Sequence, residues 1–321
     1  MTIETPFWKM LAPSKQPEKN RHPPLLPCIW DFRPPNPEIL LRRINQTHTY
    51  MKADKLSGVP ETMLITLWAK AIETARPDAI LHDPKAVEIM NRIDYDFTKF
   101  KGGTMSQVGC CVRAELIDSE AQDYLRVHPD AVVIQLGAGI DARYDRLGRP
   151  PVTHWYDLDL PEAIDLRRRL LPETDRNTYL DMSLLDYRWI DAVRSHGRPV
   201  LIILEGVLMY FTPEEVRDFF DTLCSRLPQG ATILFDMLAY SLVGNAKHHD
   251  VVQKADKTVE FKWSVLDTHE MEAWNARIHL VREYFMSDYS HGRFPLVFRT
   301  LYRIPYFHRR FNQRIVRLEI R

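Results

Sequence analysis

Residues 132–160 read VVIQLGAGIDARYDRLGRPPVTHWYDLDL, and this stretch decides the fold class of the chain. Its first five residues are almost entirely apolar, which is typical of a buried strand. The turn Gly137-Ala138-Gly139 allows the backbone to bend sharply and approach a ligand, because glycine has no Cβ. A second strand ends in Asp157-Leu158-Asp159, and a carboxylate about 20 residues beyond such a turn can accept both hydroxyls of a ribose. The stretch therefore predicts a site for a nucleoside-containing cofactor.

The glycine pattern does not by itself name the cofactor. Gly137-x-Gly139-x-x-Ala142 fits the relaxed dinucleotide fingerprint, so NAD is one candidate. A turn that needs glycine only for its geometry is the structural alternative. The acid at the correct distance favours a cofactor site over that alternative.

The composition excludes several functional classes. The chain has 321 residues, of which 45% are hydrophobic and 27% charged, as in a globular protein of one large or two small domains. Its formal net charge is zero, which gives no general attraction to nucleic acid or to an anionic membrane. No apolar run is long enough to cross a bilayer, and the N-terminus lacks the features of a signal peptide. We therefore expect a cytoplasmic protein without nucleic-acid or membrane partners.

Neither a metal site nor a disulfide framework is predicted. The four cysteines, Cys28, Cys110, Cys111 and Cys224, form no C-x-x-C pair. Cys110 and Cys111 are expected to pack as small apolar residues near the cofactor crevice. The segment His248-His249-Asp250 is interpreted as a solvated loop rather than a metal site.

Three regions follow one another along the chain. Residues 1–45 form a proline-rich arm whose apolar side chains indicate packing on the body or on a second subunit of a homodimer, with a disordered tail as the alternative. Residues 46–128 are predicted to form a helical cap, and its clearest helix spans 61–75. Residues 129–321 form the predicted cofactor-binding core, and the stretch at about 238–275 is expected to be an insert that shapes the acceptor pocket.

Strands and helices alternate in the last region, which predicts an α/β fold with a parallel sheet and helices on both faces. The predicted strands are 131–136, 154–160, 178–184, 200–204, 231–237 and 279–285. At the C-terminus Val316, Leu318 and Ile320 alternate with charged residues, which is typical of an antiparallel edge strand. A mostly parallel sheet that ends in an antiparallel strand is expected of class I methyltransferases and is unusual for NAD domains.

Five motifs in order resemble the leucine carboxyl methyltransferase family, and within it the bacterial branch of polyketide carboxyl O-methyltransferases of the tetracenomycin pathway type. They are RAELID (113–118), QLGAGIDARYDRL (135–147), DLDLPEAIDLRRRLL (157–171), SLLD (183–186) and EGVLMYFTPEEV (205–216). LSGVPETMLITLWAKAIE (56–73), followed by Asp-Pro at 83–84, is also similar to that branch. The resemblance covers about residues 50–240 and implies a Rossmann-like class I fold with S-adenosylmethionine as the cofactor.

The resemblance also implies roles for individual residues. Arg113 matches the arginine that holds the methionine carboxylate of the cofactor, and Glu205 matches the acid near its amino group. Gly137 matches the glycine where the backbone meets the cofactor, and Asp159 matches the acid that binds the ribose. Tyr210 matches a tyrosine beside the transferred methyl group and the acceptor carboxylate, where it positions rather than deprotonates.

The fourth motif departs from the family branch that methylates a protein phosphatase. Ser183 and Leu184 stand where the family contacts adenine, but an acid replaces Ser183 in that branch, so adenine recognition is expected to rely more on Asp186 or on backbone groups. Leu185 stands where that branch has an arginine for a peptide's terminal carboxylate. The absence of this arginine favours a small-molecule substrate.

The charges and the acceptor chemistry favour one function among several. Asp141 lies just inside the glycine turn and would oppose a dinucleotide pyrophosphate, which favours S-adenosylmethionine over NAD. A carboxylate acceptor, with a pKa near 4, is already ionised and needs no base, whereas a phenol with a pKa near 10 does. We therefore predict a carboxyl O-methyltransferase of a small molecule. The alternatives are the same fold acting on a phenol or thiol, and a non-catalytic scaffold; the substrate itself is not readable.

Overall fold

The computed structural model describes residues 61–245, 260–289 and 291–321. Its seven strands are β1 (Val132–Leu136), β2 (His154–Asp159), β3 (Asn177–Asp181), β4 (Val200–Leu204), β5 (Ala231–Met237), β6 (Ile278–Phe285) and β7 (Arg314–Ile320). They form one sheet in the order β3-β2-β1-β4-β5-β7-β6, in which the first five are parallel and β7 is antiparallel to both of its neighbours. The predicted fold class is confirmed.

The helices of the described residues precede, connect and follow these strands. They are α1 (Glu61–Thr74), α2 (Pro84–Met90), α3 (Thr104–Val127), α4 (Arg143–Arg146), α5 (Pro161–Leu170), α6 (Arg188–Arg194), α7 (Pro213–Arg226), α8 (Leu296–Leu301) and α9 (Pro305–Phe311). Short 3₁₀ turns lie between them, including Leu208–Tyr210 after β4. No helix among these residues has both the length and the apolarity that a membrane span requires.

The two central strands position the site. The sequences of β1 and β4, VVIQL and VLIIL, are buried along their whole length, as expected for parallel strands covered on both faces. Leu136 at the end of β1 pairs with Leu158 of β2 and Leu204 of β4. The carboxyl ends of the three strands therefore coincide, and the residues that follow them meet at one edge of the sheet.

Both faces of the sheet are covered by apolar side chains. On one face Ile134, Ile202 and Phe235 contact side chains of α6 and α7, such as Trp189 and Phe220. On the other face the neighbouring positions contact α3, a helix of 24 residues. A third apolar cluster joins α1, α2 and the turn after β1, so the predicted cap helices contact the cofactor-binding core directly.

Two strands differ from the prediction. The third strand ends at Asp181 rather than Leu184, so Ser183 lies in a loop. The C-terminal strand β7 is not at the edge, because it lies between β5 and β6. Arg317 and Glu319 of its alternating pattern are only partly exposed, and Arg317 pairs with Glu120 of α3 at 3.3 Å. The alternation of apolar and charged residues in β7 therefore indicates a face of ion-paired side chains rather than a solvated face.

Several predicted features lie outside the described residues. They are the proline-rich arm, the first residues of the cap and the histidine-rich stretch at 248–250. Within the described part, no group of three or more potential metal ligands is found. The C-terminal residues fold as α8, α9 and β7.

Candidate functional site

A cavity of about 920 Å³ opens at the carboxyl ends of the parallel strands. All seven residues that the sequence singled out for cofactor or acceptor binding line it: Arg113, Gly137, Asp159, Ser183, Leu184, Glu205 and Tyr210. They come from α3, from the end of β2, from the loops after β1, β3 and β4, and from the 3₁₀ turn that follows β4. The topology therefore brings together residues that are almost 100 positions apart in the chain.

The glycine turn after β1 requires glycine at both positions. Gly137 has a φ of +69°, and a Cβ there would lie 2.4 Å from Cγ2 of Val207. Gly139 has a φ of +50°, and its Cβ would lie 2.8 Å from Sδ of Met63. Both the left-handed backbone and the close approach of neighbours exclude larger residues. The turn brings its backbone to the cavity surface.

Asp159 and Asp157, two positions apart on β2, have different surroundings. Asp159 lines the cavity, and its two carboxylate oxygens accept hydrogen bonds from the amides of Gly139 and Leu160, each at 2.7 Å. Burial raises the pKa of Asp159, and the two amide hydrogen bonds oppose that shift. Asp157 is fully buried and binds Arg167 at 2.6 Å and Asn177 at 2.8 Å. Asp159 is thus exposed to the cavity, whereas Asp157 fixes β2 to its neighbours.

A buried ion cluster lies beneath the cavity. Salt bridges connect its nine members, which are Lys70, Asp83, Arg113, Asp118, Asp141, Arg143, Arg146, Glu205 and Asp236. Four are cations and five are carboxylates, so the fully ionised cluster carries one excess negative charge. Such a cluster can accommodate a ligand end with a net positive charge, because a buried charge needs a partner.

Glu205 is a member of the ion cluster that pairs with three cations at the cavity. Its carboxylate pairs with Arg113 at 3.2 Å, with Lys70 at 3.6 Å and with Arg143. Burial would raise its pKa, but Lys70, Arg143 and Arg113 together lower the pKa of Glu205 to about 2. Glu205 is therefore a permanent anion at the cavity wall at neutral pH.

Arg113 is more constrained than the sequence predicts. Its Nε donates to Glu205 and its Nη1 donates to Asp236, both at 3.2 Å. Asp236, which the sequence reading missed, also accepts a hydrogen bond from the amide of Gly206 at 2.5 Å. Nη2 of Arg113 makes no hydrogen bond within the described residues, and it lies 3.2 Å from where a Cβ on Gly206 would be. This one nitrogen is available to a ligand carboxylate.

Lys70 and Asp141 have roles that sequence reasoning missed. Lys70 lines the cavity from α1 and binds Asp141 at 2.8 Å. Burial would raise the pKa of Asp141, but Arg146, Lys70 and Arg143 lower it well below its usual range. Three cations pair with Asp141, so the negative charge that the sequence placed just inside the glycine turn belongs to an ion cluster with one excess negative charge. In the sequence, the only indication of this role is that Lys70 is a charged residue among the apolar residues of its helix.

Gln135 has an acceptor without a partner. Its side chain is 2% exposed and lines the cavity, and Nε2 donates to Oδ2 of Asp141 at 3.1 Å. Because Asp141 is ionised and can only accept, it fixes the orientation of the amide. Oε1 of Gln135 is left without a hydrogen bond in the described structure. A buried acceptor of this kind is costly unless a ligand donates to it.

The loop after β3 forms the far end of the cavity. Met182, Ser183 and Leu184 line it, and Oγ of Ser183 accepts a hydrogen bond from the amide of Leu185 at 3.2 Å. Asp186 does not line the cavity, because it pairs with Arg188 on the surface, and this hydrogen bond lowers its pKa. The expectation that Asp186 binds adenine is therefore not supported, whereas apolar side chains and backbone groups remain in place for a flat base.

Tyr210 lines the part of the cavity opposite the loop after β3. Burial raises its pKa, and its ring centroid lies 5.9 Å from that of Phe261. The surrounding walls are mainly apolar, and the large side chains among them are Met105, Phe211, Leu242, Phe261, Met286, Phe294, Phe298, Tyr302 and Phe311. No histidine occurs among the described lining residues, and each lining carboxylate already has a partner.

The strand order, the glycine turn and the ribose-type acid together define a class I S-adenosylmethionine-dependent methyltransferase fold. A solved structure of a DUF574-family protein from Streptomyces avermitilis has the same fold, with a TM-score of 0.54 and 14% identity over 82% of this chain and 98% of that chain. The family model for leucine carboxyl methyltransferase matches residues 63–224. The chain belongs to that family.

Two relatives agree with this assignment. The tetracenomycin polyketide synthesis O-methyltransferase of Streptomyces glaucescens is 32% identical over 73% of this chain and 85% of its own length. An S-adenosyl-L-methionine-dependent methyltransferase of Gibberella zeae is 31% identical over 50% of this chain and 59% of its own length. The protein is thus a methyltransferase that uses S-adenosylmethionine, and the predicted family and cofactor are confirmed.

Proposed function

We propose that this methyltransferase transfers a methyl group to the carboxylate oxygen of a small apolar molecule. One observation carries the proposal: the cavity combines a charged cofactor end with an apolar acceptor end that offers no free general base among its described residues. An acceptor that is ionised before it binds fits such a site.

The charged end fits the methionine part of S-adenosylmethionine, which supplies an activated methyl group on a sulfonium. Arg113 Nη2 would hold the carboxylate, while Oε1 of Gln135 and the Glu205 carboxylate would accept hydrogen bonds from the ammonium. Asp159 would hold the ribose, as the position of its carboxylate beside the glycine turn suggests. The excess negative charge of the ion cluster complements the net positive charge of this cofactor.

The protein's contribution at the acceptor end is orientation and the exclusion of water. The apolar walls remove water from the acceptor carboxylate, which makes its oxygen a better nucleophile. Tyr210 remains protonated because burial raises its pKa, so it can donate a hydrogen bond that orients the acceptor but cannot act as a base. Alignment of the two reacting groups then supplies most of the rate enhancement.

A small-molecule acceptor is favoured over a protein C-terminus. Leu185 packs against the apolar core, so its position offers no cation for a peptide carboxylate. The relative from Streptomyces glaucescens is named for polyketide synthesis, which is consistent with an apolar acceptor of moderate size. A polyketide or other secondary metabolite carboxylate is therefore the acceptor class that we propose.

A phenol is the second candidate acceptor. The charges that line the cavity favour a phenol, because the cations Lys70 and Arg113 are already paired with Asp141 and Glu205. A bound carboxylate would thus find hydroxyl and amide donors rather than a free cation. The stability of the product separates the two candidates, since a methyl ester is cleaved by mild alkali and an aryl methyl ether is not.

The test uses S-adenosylmethionine with a labelled methyl group and paired acceptors. Each aromatic carboxylic acid is offered beside the phenol of the same ring system, and the labelled product is treated with mild alkali. We expect label in the acids only and its release as methanol. Alkali-stable label would assign the enzyme to phenols, and binding of S-adenosylhomocysteine without transfer to either class would contradict both.

A further inference from the structure

Gln313 is a polar side chain in the apolar wall of the cavity. It lines the cavity together with Phe298, Tyr302 and Phe311 of the C-terminal helices. Its side-chain amide makes no hydrogen bond within the described residues, although other polar groups nearby are paired. For example, the Tyr302 hydroxyl donates to the carbonyl of Phe311 at 3.2 Å. The amide of Gln313 therefore has a free donor and a free acceptor beside the cavity.

The backbone around Gln313 is held firmly. The preceding Asn312 is 2% exposed and binds the amide and the hydroxyl of Ser287 at 3.1 and 2.6 Å. The carbonyl of Gln313 accepts a hydrogen bond from the amide of Met286 at 2.9 Å. The following Arg314 is buried and pairs with Glu283 at 2.9 Å. The backbone that carries this amide is therefore fixed, and a ligand that pairs with it has to order only the side-chain torsions of Gln313.

The strand order places Gln313 on the acceptor side of the cavity. Arg314 pairs with Met237 at the carboxyl end of β5, so Gln313 lies at the same edge of the sheet as the cofactor site. The cofactor residues follow β1, β2, β3 and β4, whereas β7 is beyond β5. Adjacent strands are about 4.8 Å apart, which separates Gln313 from the end of β4 by about 10 Å.

The contact between Gln313 and helix α3 locates this residue independently of the strand order. Oε1 of Gln313 would be 3.7 Å from a Cβ on Gly109, so the amide lies against α3 at that residue. Gly109 precedes Arg113 by four residues, which places it about 6 Å along the same helix face. Gln313 is therefore one helical turn away from the arginine at the cofactor end.

We propose that Gln313 is a specificity-determining residue that binds a hydroxyl or carbonyl group on the apolar body of the acceptor. An acceptor with such a group would pair with the amide, and an acceptor without it would leave the amide unpaired in a desolvated site. Sites that hydrogen-bond a substrate discriminate strongly against analogues that lack the bonding group. This inference rests on the proposed function, because it requires the methyl acceptor to occupy this part of the cavity.

The test compares naphthoic acid with a set of hydroxynaphthoic acids, one for each ring position. Calorimetry gives the dissociation constant of each acid for the protein loaded with S-adenosylhomocysteine, using wild type, Gln313→Leu, Gln313→Met and Gln122→Leu. The last variant makes the same change at an exposed position on α3 and serves as the control. We expect at least one hydroxyl isomer to bind wild type and the control about tenfold more tightly than the parent acid, as one net hydrogen bond allows.

In the two Gln313 variants we expect the dissociation constants of the parent acid and of that hydroxyl isomer to become about equal. The affinity for S-adenosylhomocysteine should stay unchanged. The methionine variant has nearly the volume of glutamine, so it keeps the test valid if the leucine variant does not fold. A preference that persists without Gln313, or that is absent from wild type, overturns the inference. Failure of the proposed function is a separate result, because the nature of the methylated product is measured independently of these binding ratios.

Discussion

Asp157 and Asp159 show how much neighbouring residues of one type can differ. Both are acids at the end of β2, and only the structure shows that Asp157 is enclosed by Arg167, Asn177 and Trp155 while Asp159 lines the cavity. Spacing from the glycine turn fits both acids, and the family resemblance singled out Asp159. Gln135 shows the opposite case, because no sequence signal marked it and its unpaired Oε1 is evident only in three dimensions.

Removal of Asp159 should affect the ligand, and removal of Asp157 should affect the fold. For Asp159→Ala we expect S-adenosylhomocysteine to bind about 30-fold more weakly or worse, because hydrogen bonds to a charged group contribute about 1.5–3 kcal/mol. For Asp157→Ala we expect the free energy of unfolding to fall by about 3 kcal/mol, since the buried Arg167 loses its partner. Calorimetric titration and urea unfolding of both variants measure the two effects, and equal losses of affinity would refute this division.

Gln135→Leu tests whether the unpaired acceptor binds the cofactor's ammonium. We expect the variant to bind S-adenosylhomocysteine about tenfold more weakly, because one hydrogen bond is lost. The decisive comparison is with the analogue that lacks the α-amino group. Wild type should discriminate against that analogue more strongly than the variant does, by titration calorimetry. Equal discrimination by both proteins would show that the ammonium lies elsewhere.

At the scale of elements, local patterns predicted most bounds and tertiary pairing decided the exceptions. The strands at 200–204 and 231–237 are predicted correctly because continuous apolar runs leave little choice of register. The bounds of α7 follow from Thr212 and Pro213 at its start. The third strand and the C-terminal strand were placed less well, because a strand's end and its neighbours depend on partners that are distant in the chain.

The start of α7 offers a test of a local stabilising motif. Thr212 and Glu215 form a capping box in which each side chain accepts a hydrogen bond from the other's amide, at 3.2 and 2.8 Å. We expect Thr212→Ala to lower the free energy of unfolding by about 1 kcal/mol without changing the affinity for S-adenosylhomocysteine. Urea unfolding of Thr212→Ala, Glu215→Ala and the double variant should give losses that are less than additive. Strict additivity would mean that the two halves of the box act independently.

At the scale of the whole molecule, the ion cluster joins the cap helices to the sheet. Lys70 belongs to α1, Asp83 caps α2 and Arg113 belongs to α3, while Glu205 and Asp236 belong to the ends of β4 and β5. Binding of the cofactor at this cluster would therefore involve the cap and the core at once. The division into an arm, a cap and a core, the homodimer and the absence of nucleic-acid and membrane partners stay predictions.

The ion cluster should make the ligand-free protein sensitive to acid. The pKa of Glu205 is lowered from 4.5 to about 2 in the folded state, so the unfolded state binds more protons between these values. The stability that Glu205 contributes is therefore complete above its unfolded pKa and is lost as the pH falls toward about 2. We expect urea unfolding to show this loss, and Glu205→Gln to be less stable at neutral pH but to have a flatter acid profile. An unchanged profile would contradict a role for Glu205 in acid unfolding.

The sequence by itself determined the fold class, the family, the cofactor and seven residues that share one cavity. It could do so because a buried strand, a glycine turn and an acid at fixed spacing are local features with few structural solutions. Only the tertiary structure showed that cations pair with Asp141 and that, within the described part of the chain, one nitrogen of Arg113 and groups of Gln135 and Gln313 at the cavity have no partner. These properties depend on which charged groups and amides from distant parts of the chain contact one another, and spacing along the sequence does not encode such contacts.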